Sequence, residues 1–492
     1  MSTEKKQERN LTMLADYYEF TMANGYFNEG MGDREVVFDM FFRRIPDGGG
    51  FAIFAGLEQL VDYLNHLHFT EDDITYFRSR GCFSEPFLDY LRSFSFCCDV
   101  WSIREGTPVF PNEPIVTVKG PLVQAQMVET MLLLSINYQT LIATKSSRIV
   151  RAAAGRSVVE FGSRRAQSYD AAVLGARAAY IAGCAGTACT IADRDFGIPA
   201  SGTMAHSWVQ VFDSEYEAFK AYTTAYPHNC TLLVDTYNVV KSGIPNAIRV
   251  FNEVILPMGL RPQSVRIDSG DLAYLSKKAR KMLDEAGFAD VKIVASNSLD
   301  EYLVRDLLSQ GACIDMFGVG ENLITSKSEP VFGGVYKLAA AADSSGVLQP
   351  KIKISESLEK ITVPGFKQVY RLYSCENGKA LADYITLRDE PAPDETQDMV
   401  IFDPAAIWKR KRVYNYRAEQ LLVQVFRRGQ LCYDCPSVGE IRAYCADQLE
   451  TLWDESKRFE FPHRYYVDLS QQLWDEKQQL LVKLGDDIVG DN

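Results

Sequence analysis

The sequence predicts an α/β fold: an irregular parallel α/β barrel, with a mixed α/β domain before it and a C-terminal helical extension after it. Short apolar runs at 158–161, 231–234, 265–267, 291–295 and 314–317 alternate with helical patterns at 170–182, 214–222, 246–257, 272–286 and 299–309. Strand and helix recurring every ~30 residues mark repeated βα units on a parallel sheet, and this many units favour closure. The polar residues supply a further observation. Glu160, Asp235, Asp268, Asn297 and Gly318 stand at or just after the ends of the apolar runs, where α/β barrels build their active sites. Any one of them could instead cap the following helix, since Asp and Asn cap well. Five in succession, with basic residues among them, favour a site.

The flanks read differently. Leu14, Tyr18, Met22 and Tyr26 keep helical spacing within 1–30, and 36–42 is strand-like. Glycines at 48, 49 and 50 mark a loop. Residues 97–120 are strand-like again, broken by Pro108, Pro111 and Pro114, with Val116 and Val118 alternating. These segments define an N-terminal α/β domain over 1–126 and a barrel over 127–337. Strand-like stretches at 351–354 and 368–373 suggest that 338–400 returns to the first domain. Residues 405–492 read as charged and helical. Their basic cluster, Lys409, Arg410, Lys411 and Arg412, reads as a solvated face, with an oligomer contact as the alternative.

Composition narrows the function. A chain of 492 residues holds two or three domains, and 47% hydrophobic with 24% charged residues is ordinary for a folded protein. A net charge of −13 argues against a general nucleic-acid binder but leaves room for a local basic pocket. No run approaches the ~20 apolar residues of a membrane span, and the polar start MSTEKKQERN lacks the apolar core of a secretory signal. Eleven cysteines, an odd number, fit reduced thiols in the cytoplasm. Cys432 and Cys435 form one CxxC, but only Cys445 lies nearby, short of the four ligands of a structural zinc.

Four constellations carry chemistry. In Glu160-Phe161-Gly162-Ser163-Arg164-Arg165 two arginine forks follow a strand end, an arrangement suited to an anion; surface charge is the alternative. Ser201-Gly202-Thr203-Met204-Ala205-His206-Ser207 sets one of only five histidines among small, hydroxyl-bearing residues. His206 could act as acid, base or phosphoryl-accepting nucleophile, or be a core histidine satisfied by hydrogen bonds. In Arg266-Ile267-Asp268-Ser269-Gly270-Asp271, strand alternation turns Arg266 and Asp268 to one side, giving a cation for an acidic substrate beside a carboxylate for hydroxyls or Mg²⁺. Gly318-Val319-Gly320, then Thr325, Ser326 and Lys327, and later Gly333-Gly334, could wrap a phosphate with backbone N–H groups.

Together these motifs resemble the nicotinate phosphoribosyltransferase family. The resemblance begins at Leu14-Ala15-Asp16-Tyr17-Tyr18-Glu19 and runs through the four constellations to Gly333-Gly334-Val335-Tyr336-Lys337-Leu338 and Phe461-Pro462-His463-Arg464-Tyr465-Tyr466. It implies an N-terminal α/β sandwich, an irregular barrel and a cytoplasmic homodimer. It also implies nicotinate, phosphoribosyl pyrophosphate and ATP as substrates, and Mg²⁺ as cofactor. His206 then matches a transiently phosphorylated histidine, oriented by Asp235. Tyr18 matches an aromatic residue that stacks on the pyridine ring from the dimer interface, and Phe161 a substrate-binding residue; Thr203 and Arg266 match nicotinate contacts, Arg164 matches a basic residue near the ring, and Asp268 matches a ligand of the ribose hydroxyls. Gly318, Gly320 and Thr325 match the region of the 5′-phosphate. Glu321-Asn322 departs from the Thr-Ser that follows this glycine in many members. The rival readings are nicotinamide phosphoribosyltransferase, which resembles this chain but carries an aspartate where Ala188 stands, and a non-catalytic phosphate-binding barrel.

Overall fold

The computed structural model describes residues 9–489, so the first eight residues of the expected N-terminal helical stretch lie outside the described residues. The chain divides into two units. The second comprises Leu141–Pro330 with Ser437–Ala443, and the first is assembled from Met1–Thr140, Val331–Pro436 and Tyr444–Asn492. Among the described residues no helix is long and apolar enough to cross a membrane.

The second unit is built on six parallel strands. Their order across the sheet is Gly186–Thr187, Ser157–Glu160, Met316–Val319, Lys292–Ser296, Ser264–Ile267 and Thr231–Leu233. All five predicted runs are present as strands. Val158, Val159, Val265, Ile293, Phe317 and Val319 are buried, as expected for a sheet covered on both faces.

The predicted closure does not occur. The sheet stays open between Gly186–Thr187, which is extended only by a single parallel bridge from Thr187 to Ala200, and Thr231–Leu233 at the far edge. The intervening chain forms the helices His206–Gln210 and Glu215–Ala225 instead of a strand. The stretch Ser201-Gly202-Thr203 explains this, since it offers glycine and hydroxyls rather than the β-branched residues of a strand. The other βα units follow the sequence closely. Helices Tyr169–Ile181, Leu272–Glu285 and Glu301–Ser309 are capped by Ser168, Asp271 and Asp300. Capping is therefore done by residues other than Asp235 and Asp268. The expected helix at 246–257 is an α-helix at Ile244–Val250 that loosens into a π-turn at Phe251–Ile255.

The first unit holds a seven-stranded antiparallel sheet, in the order Leu348–Pro350, Gly334–Ala342, Glu35–Phe42, Val116–Pro121, Asp99–Ser102, Val423–Arg427 and Gln430–Leu431. A four-stranded sheet of Tyr416–Gln420, Lys367–Ser374, Ala380–Leu387 and Val467–Leu469 accompanies it. A buried ion pair from Lys367 Nζ to Asp39 Oδ2, 2.7 Å long, links the two sheets. Helices Tyr17–Asn28, Glu71–Ser79 and Glu85–Arg92 pack around Phe20, Phe77, Phe83 and Phe87.

The C-terminal segment is not the helical extension that its charge suggested. Strands Met399–Asp403 and Ala406–Val413 form a hairpin, and the basic cluster lies within its second strand. Residues 407–410, Ile407 and Trp408 among them, are all exposed, so no buried face marks the period of two. Among the described residues of this segment, α-helices lie at Val438–Thr451 and Gln471–Val489, with a short 3-10 turn at Asp454–Lys457. The strand expected at 351–354 lies slightly earlier, at Leu348–Pro350.

Glu19, on the first helix, accepts a 3.1 Å hydrogen bond from the Thr130 amide and a second bond from its hydroxyl. Burial pushes its carboxyl up to about 7, against about 4.3 in an unfolded chain. Its favourable contribution is complete below the unfolded value and is lost as pH rises through 7. Glu19→Gln keeps an acceptor for Thr130 and removes the charge. Its urea midpoint should exceed the parent's at pH 8, and the difference should shrink towards pH 4.

Candidate active site

Arg266 organises the site. It points out of the Ser264–Ile267 strand and is largely buried, with 15% of its side chain exposed. Each part of its guanidinium has an acceptor on a different element. Nε donates to Ser296 Oγ at 2.8 Å, Nη1 to Thr203 Oγ1 at 3.0 Å, and Nη2 to Asp268 Oδ1 at 2.9 Å. The predicted pairing of Arg266 with Asp268 on one side of the strand is present. Ser296 also donates to Asp268 Oδ1, which closes a triangle of side chains across adjacent strand ends.

Phe161 completes the floor. The Arg266 guanidinium carbon lies 5.5 Å from the centroid of its ring. The ring rests on the backbone of Gly318, where an added Cβ would sit 2.5 Å from two ring carbons. Gly318 therefore serves as a flat seat for the ring, a role that needs the absent side chain rather than an unusual φ. Behind Phe161, the fully buried Glu160 accepts from Thr187 Oγ1 at 2.6 Å and from the Gly162 amide. Burial raises its pKa, and these two hydrogen bonds oppose the rise. The effect is to pin the turn that carries Phe161.

His206 opens the short helix His206–Gln210 with its side chain 40% exposed. Nδ1 lies 3.1 Å from Thr236 Oγ1, and Nε2 lies 3.7 Å from Asp268 Oδ2. Asp235, the residue expected to orient it, turns elsewhere. Its Oδ2 accepts from the Asp268 amide at 3.1 Å and from Ser269 Oγ, while its Oδ1 is buried without a hydrogen-bond partner. The histidine's partner is thus the hydroxyl next in sequence. Beside these groups a cavity of about 430 Å³ is bordered by Asp235, Tyr237, Lys241, Ser269 and Tyr274.

The glycine segment lies at the end of the neighbouring strand. Gly320 precedes a single turn at Glu321–Ile324, and the Thr325 hydroxyl donates to Glu321 O at 2.8 Å. Glu321 is held by Lys327 at 2.8 Å and by Arg165 at 3.7 Å. Lys327 draws its carboxyl below the usual range. Of the paired arginines, Arg165 faces Glu321, and Arg164 is exposed. Gly333 and Gly334 belong to the first unit, as does Tyr18, which is 43% exposed on its helix. Burial, and then the Glu129 carboxylate, push the Tyr18 phenol up.

Sequence reasoning missed Ser296, Thr236, Ser269 and Thr187. All four are hydroxyls at or just after strand ends. The missing signal was positional: each adjoins or faces a residue already singled out.

No group of three or more His, Cys, Asp or Glu side chains capable of holding a metal occurs among the described residues. The orphaned Asp235 Oδ1 beside Asp268 fits a Mg²⁺ that arrives on a phosphorylated ligand and takes only one or two protein carboxylates.

Ser296→Ala removes the acceptor of Arg266 Nε and a donor to Asp268. It should lower transition-state stabilisation by about 1–3 kcal/mol, read as kcat/KM, with little change in the urea midpoint. Gly318→Ala should displace the Phe161 ring and raise KM more than it lowers stability, which paired kinetic and unfolding measurements would show.

The chain is similar to known proteins along most of its length. Residues 13–137 match the nicotinate phosphoribosyltransferase N-terminal domain, 156–362 the nicotinate phosphoribosyltransferase family, and 366–477 its C-terminal domain. The chain is 45% identical over 476 residues to nicotinate phosphoribosyltransferase of Bacillus subtilis (strain 168), covering 96% of each sequence. It is 32% identical over 520 residues to the Homo sapiens enzyme of that name, covering 94% of this chain and 95% of the relative. The crystal structure of human nicotinic acid phosphoribosyltransferase superposes with a TM-score of 0.83 at 30% identity, covering 94% of this chain and 99% of the other. The chain belongs to the nicotinate phosphoribosyltransferase family.

Proposed function

We propose that this enzyme transfers the phosphoribosyl group of phosphoribosyl pyrophosphate to the ring nitrogen of nicotinate, in the salvage of nicotinate into NAD. The observation that carries the reading is the guanidinium of Arg266, locked by three side chains above the Phe161 ring. A fixed cation beside an aromatic face suits a flat ring bearing a carboxylate.

In the reaction, a C–N bond forms between the ring nitrogen and C1 of the ribose as the C1–O bond to pyrophosphate breaks. Phe161 holds the ring, with Tyr18 contributed at the dimer interface; Arg266 and Thr203 hold its carboxylate, and Arg164 supplies a basic group near the ring. Asp268 receives ribose hydroxyls through Oδ2, since Oδ1 is occupied by Arg266 and Ser296. Backbone at Gly318 and Gly320 receives the 5′-phosphate, and Thr325 tightens that turn through its bond to Glu321 O. Asp235 and Asp268 would help hold a Mg²⁺, which would supply charge neutralisation for the departing pyrophosphate. The protein's task is orientation and electrostatic stabilisation.

His206 supplies coupling to ATP. With Nδ1 engaged by Thr236, Nε2 is the nitrogen left to accept the γ-phosphoryl group as ADP leaves. Water later cleaves that P–N bond, releasing phosphate. Asp268, 3.7 Å from Nε2, links the phosphorylation state of His206 to the ribose-binding carboxylate. The enzyme works as a cytoplasmic homodimer.

His206→Ala should keep slow formation of nicotinate mononucleotide but lose its stimulation by ATP; a variant still fully stimulated would refute the phosphohistidine. Ala188 is exposed beside the Glu160–Thr187 pair, its amide donating to Glu160 O at 2.8 Å, and no carboxylate stands at its position to repel nicotinate. Ala188→Asp should cut kcat/KM for nicotinate by about tenfold or more and narrow the preference over nicotinamide. Equal turnover of the two by the parent enzyme would overturn the substrate assignment.

A further inference from the structure

A cavity of the first unit holds none of the residues assigned to the transfer reaction, and its charges do not balance. It measures about 770 Å³, within the range of sites that enclose small organic ligands. Its walls are apolar, with Phe41, Ile385 and Leu469 lining it and Phe110 stacked on Tyr465 at 3.8 Å.

Seven Lys or Arg residues and four Asp or Glu residues border it. Some of the cations are satisfied locally. Lys367 is bound to Asp39 at 2.7 Å, Lys337 lies 3.6 Å from Glu129, and Arg464 lies 3.7 Å from Asp403. Asp468 is 2% exposed, and burial pushes its carboxyl up to about 6. Glu359 is exposed.

Four cations remain, of which Arg44 is exposed and already partnered. Lys477, on the helix Gln471–Val489, has no ion pair or hydrogen bond among the described residues, and burial, followed by the nearby Lys367, lowers its pKa. Lys409 likewise has no acceptor among the described residues. Arg43 has a buried Nε without a hydrogen-bond partner, and its guanidinium carbon lies 5.4 Å from the centroid of the Phe41 ring. Lys409 is exposed, but Arg43 and Lys477 are half-buried, where a cation without a counter-charge is unfavourable and an entering anion relieves it.

We propose that this cavity is a second ligand site, which takes a nucleoside monophosphate. The phosphate meets Lys477, Lys409 and Arg43, and the base and sugar lie against the apolar wall. The proposal does not depend on the reaction assigned to the second unit. It gives Lys477 a function that the transfer reaction leaves unused.

The test uses the full chain and pyridoxal 5′-phosphate, an anionic aldehyde that condenses with a lysine amine and is fixed by borohydride. Peptide mapping should find Lys477 modified, and AMP should slow that modification at least tenfold at concentrations where inorganic phosphate does little. Arg43→Gln should weaken the AMP protection about tenfold, and Arg266→Gln should leave it unchanged. Absence of label at Lys477, or labelling indifferent to AMP, would overturn the site. Equal protection by phosphate alone would overturn the nucleotide assignment. Loss of protection in Arg266→Gln would assign AMP to the second unit and overturn the proposal.

Discussion

The geometry of the candidate site depends on one constraint: a guanidinium that must find acceptors for its donors in a place with little water. Arg266 meets it by drawing Thr203, Ser296 and Asp268 from a loop, a neighbouring strand end and its own strand end. Because those groups belong to different elements, their relative positions are fixed by the pairing and not by any one backbone segment. Asp268 passes the constraint on, through its amide to Asp235 and across 3.7 Å to His206. A parallel sheet makes this possible, since it delivers all its strand ends to one edge.

Much of that arrangement was legible in the sequence. The apolar runs had a clear period, and Glu160, Asp235, Asp268 and Gly318 punctuated them, so their convergence followed from parallel pairing alone. Ser296 was not legible, because a serine after Ile293-Val294-Ala295 reads as the fading of a strand and its partners lie 28 and 30 residues away. The partner of His206 was missed by one position, since a carboxylate is the expected companion of a histidine and a threonine is not. Glu321 looked misplaced beside a phosphate segment. Lys327 and Arg165 account for it, a pairing that no local pattern reveals.

The larger errors have a common origin. Closure was inferred from the number of βα units, but closure also needs a strand in the gap, and the segment 200–230 supplies helices. The C-terminal region was read from charge. Charge density distinguishes surface from core; it does not distinguish an exposed hairpin from an exposed helix. In both cases the decisive information was long-range pairing, such as Val423–Arg427 joining Asp99–Ser102 across more than 300 residues of chain.

That pairing has a consequence for how the chain comes into being. The second unit is nearly contiguous, so most of its partners emerge from the ribosome one after another. The first unit begins with the N-terminus, yet its four-stranded sheet is completed by Val467–Leu469, parallel to Ala380–Leu387. At ~5–20 residues per second, the N-terminal segment waits tens of seconds for its last partners. During that interval the edges of Glu35–Phe42 and Asp99–Ser102 are the surfaces most in need of protection, and the part of the molecule made first is the part finished last.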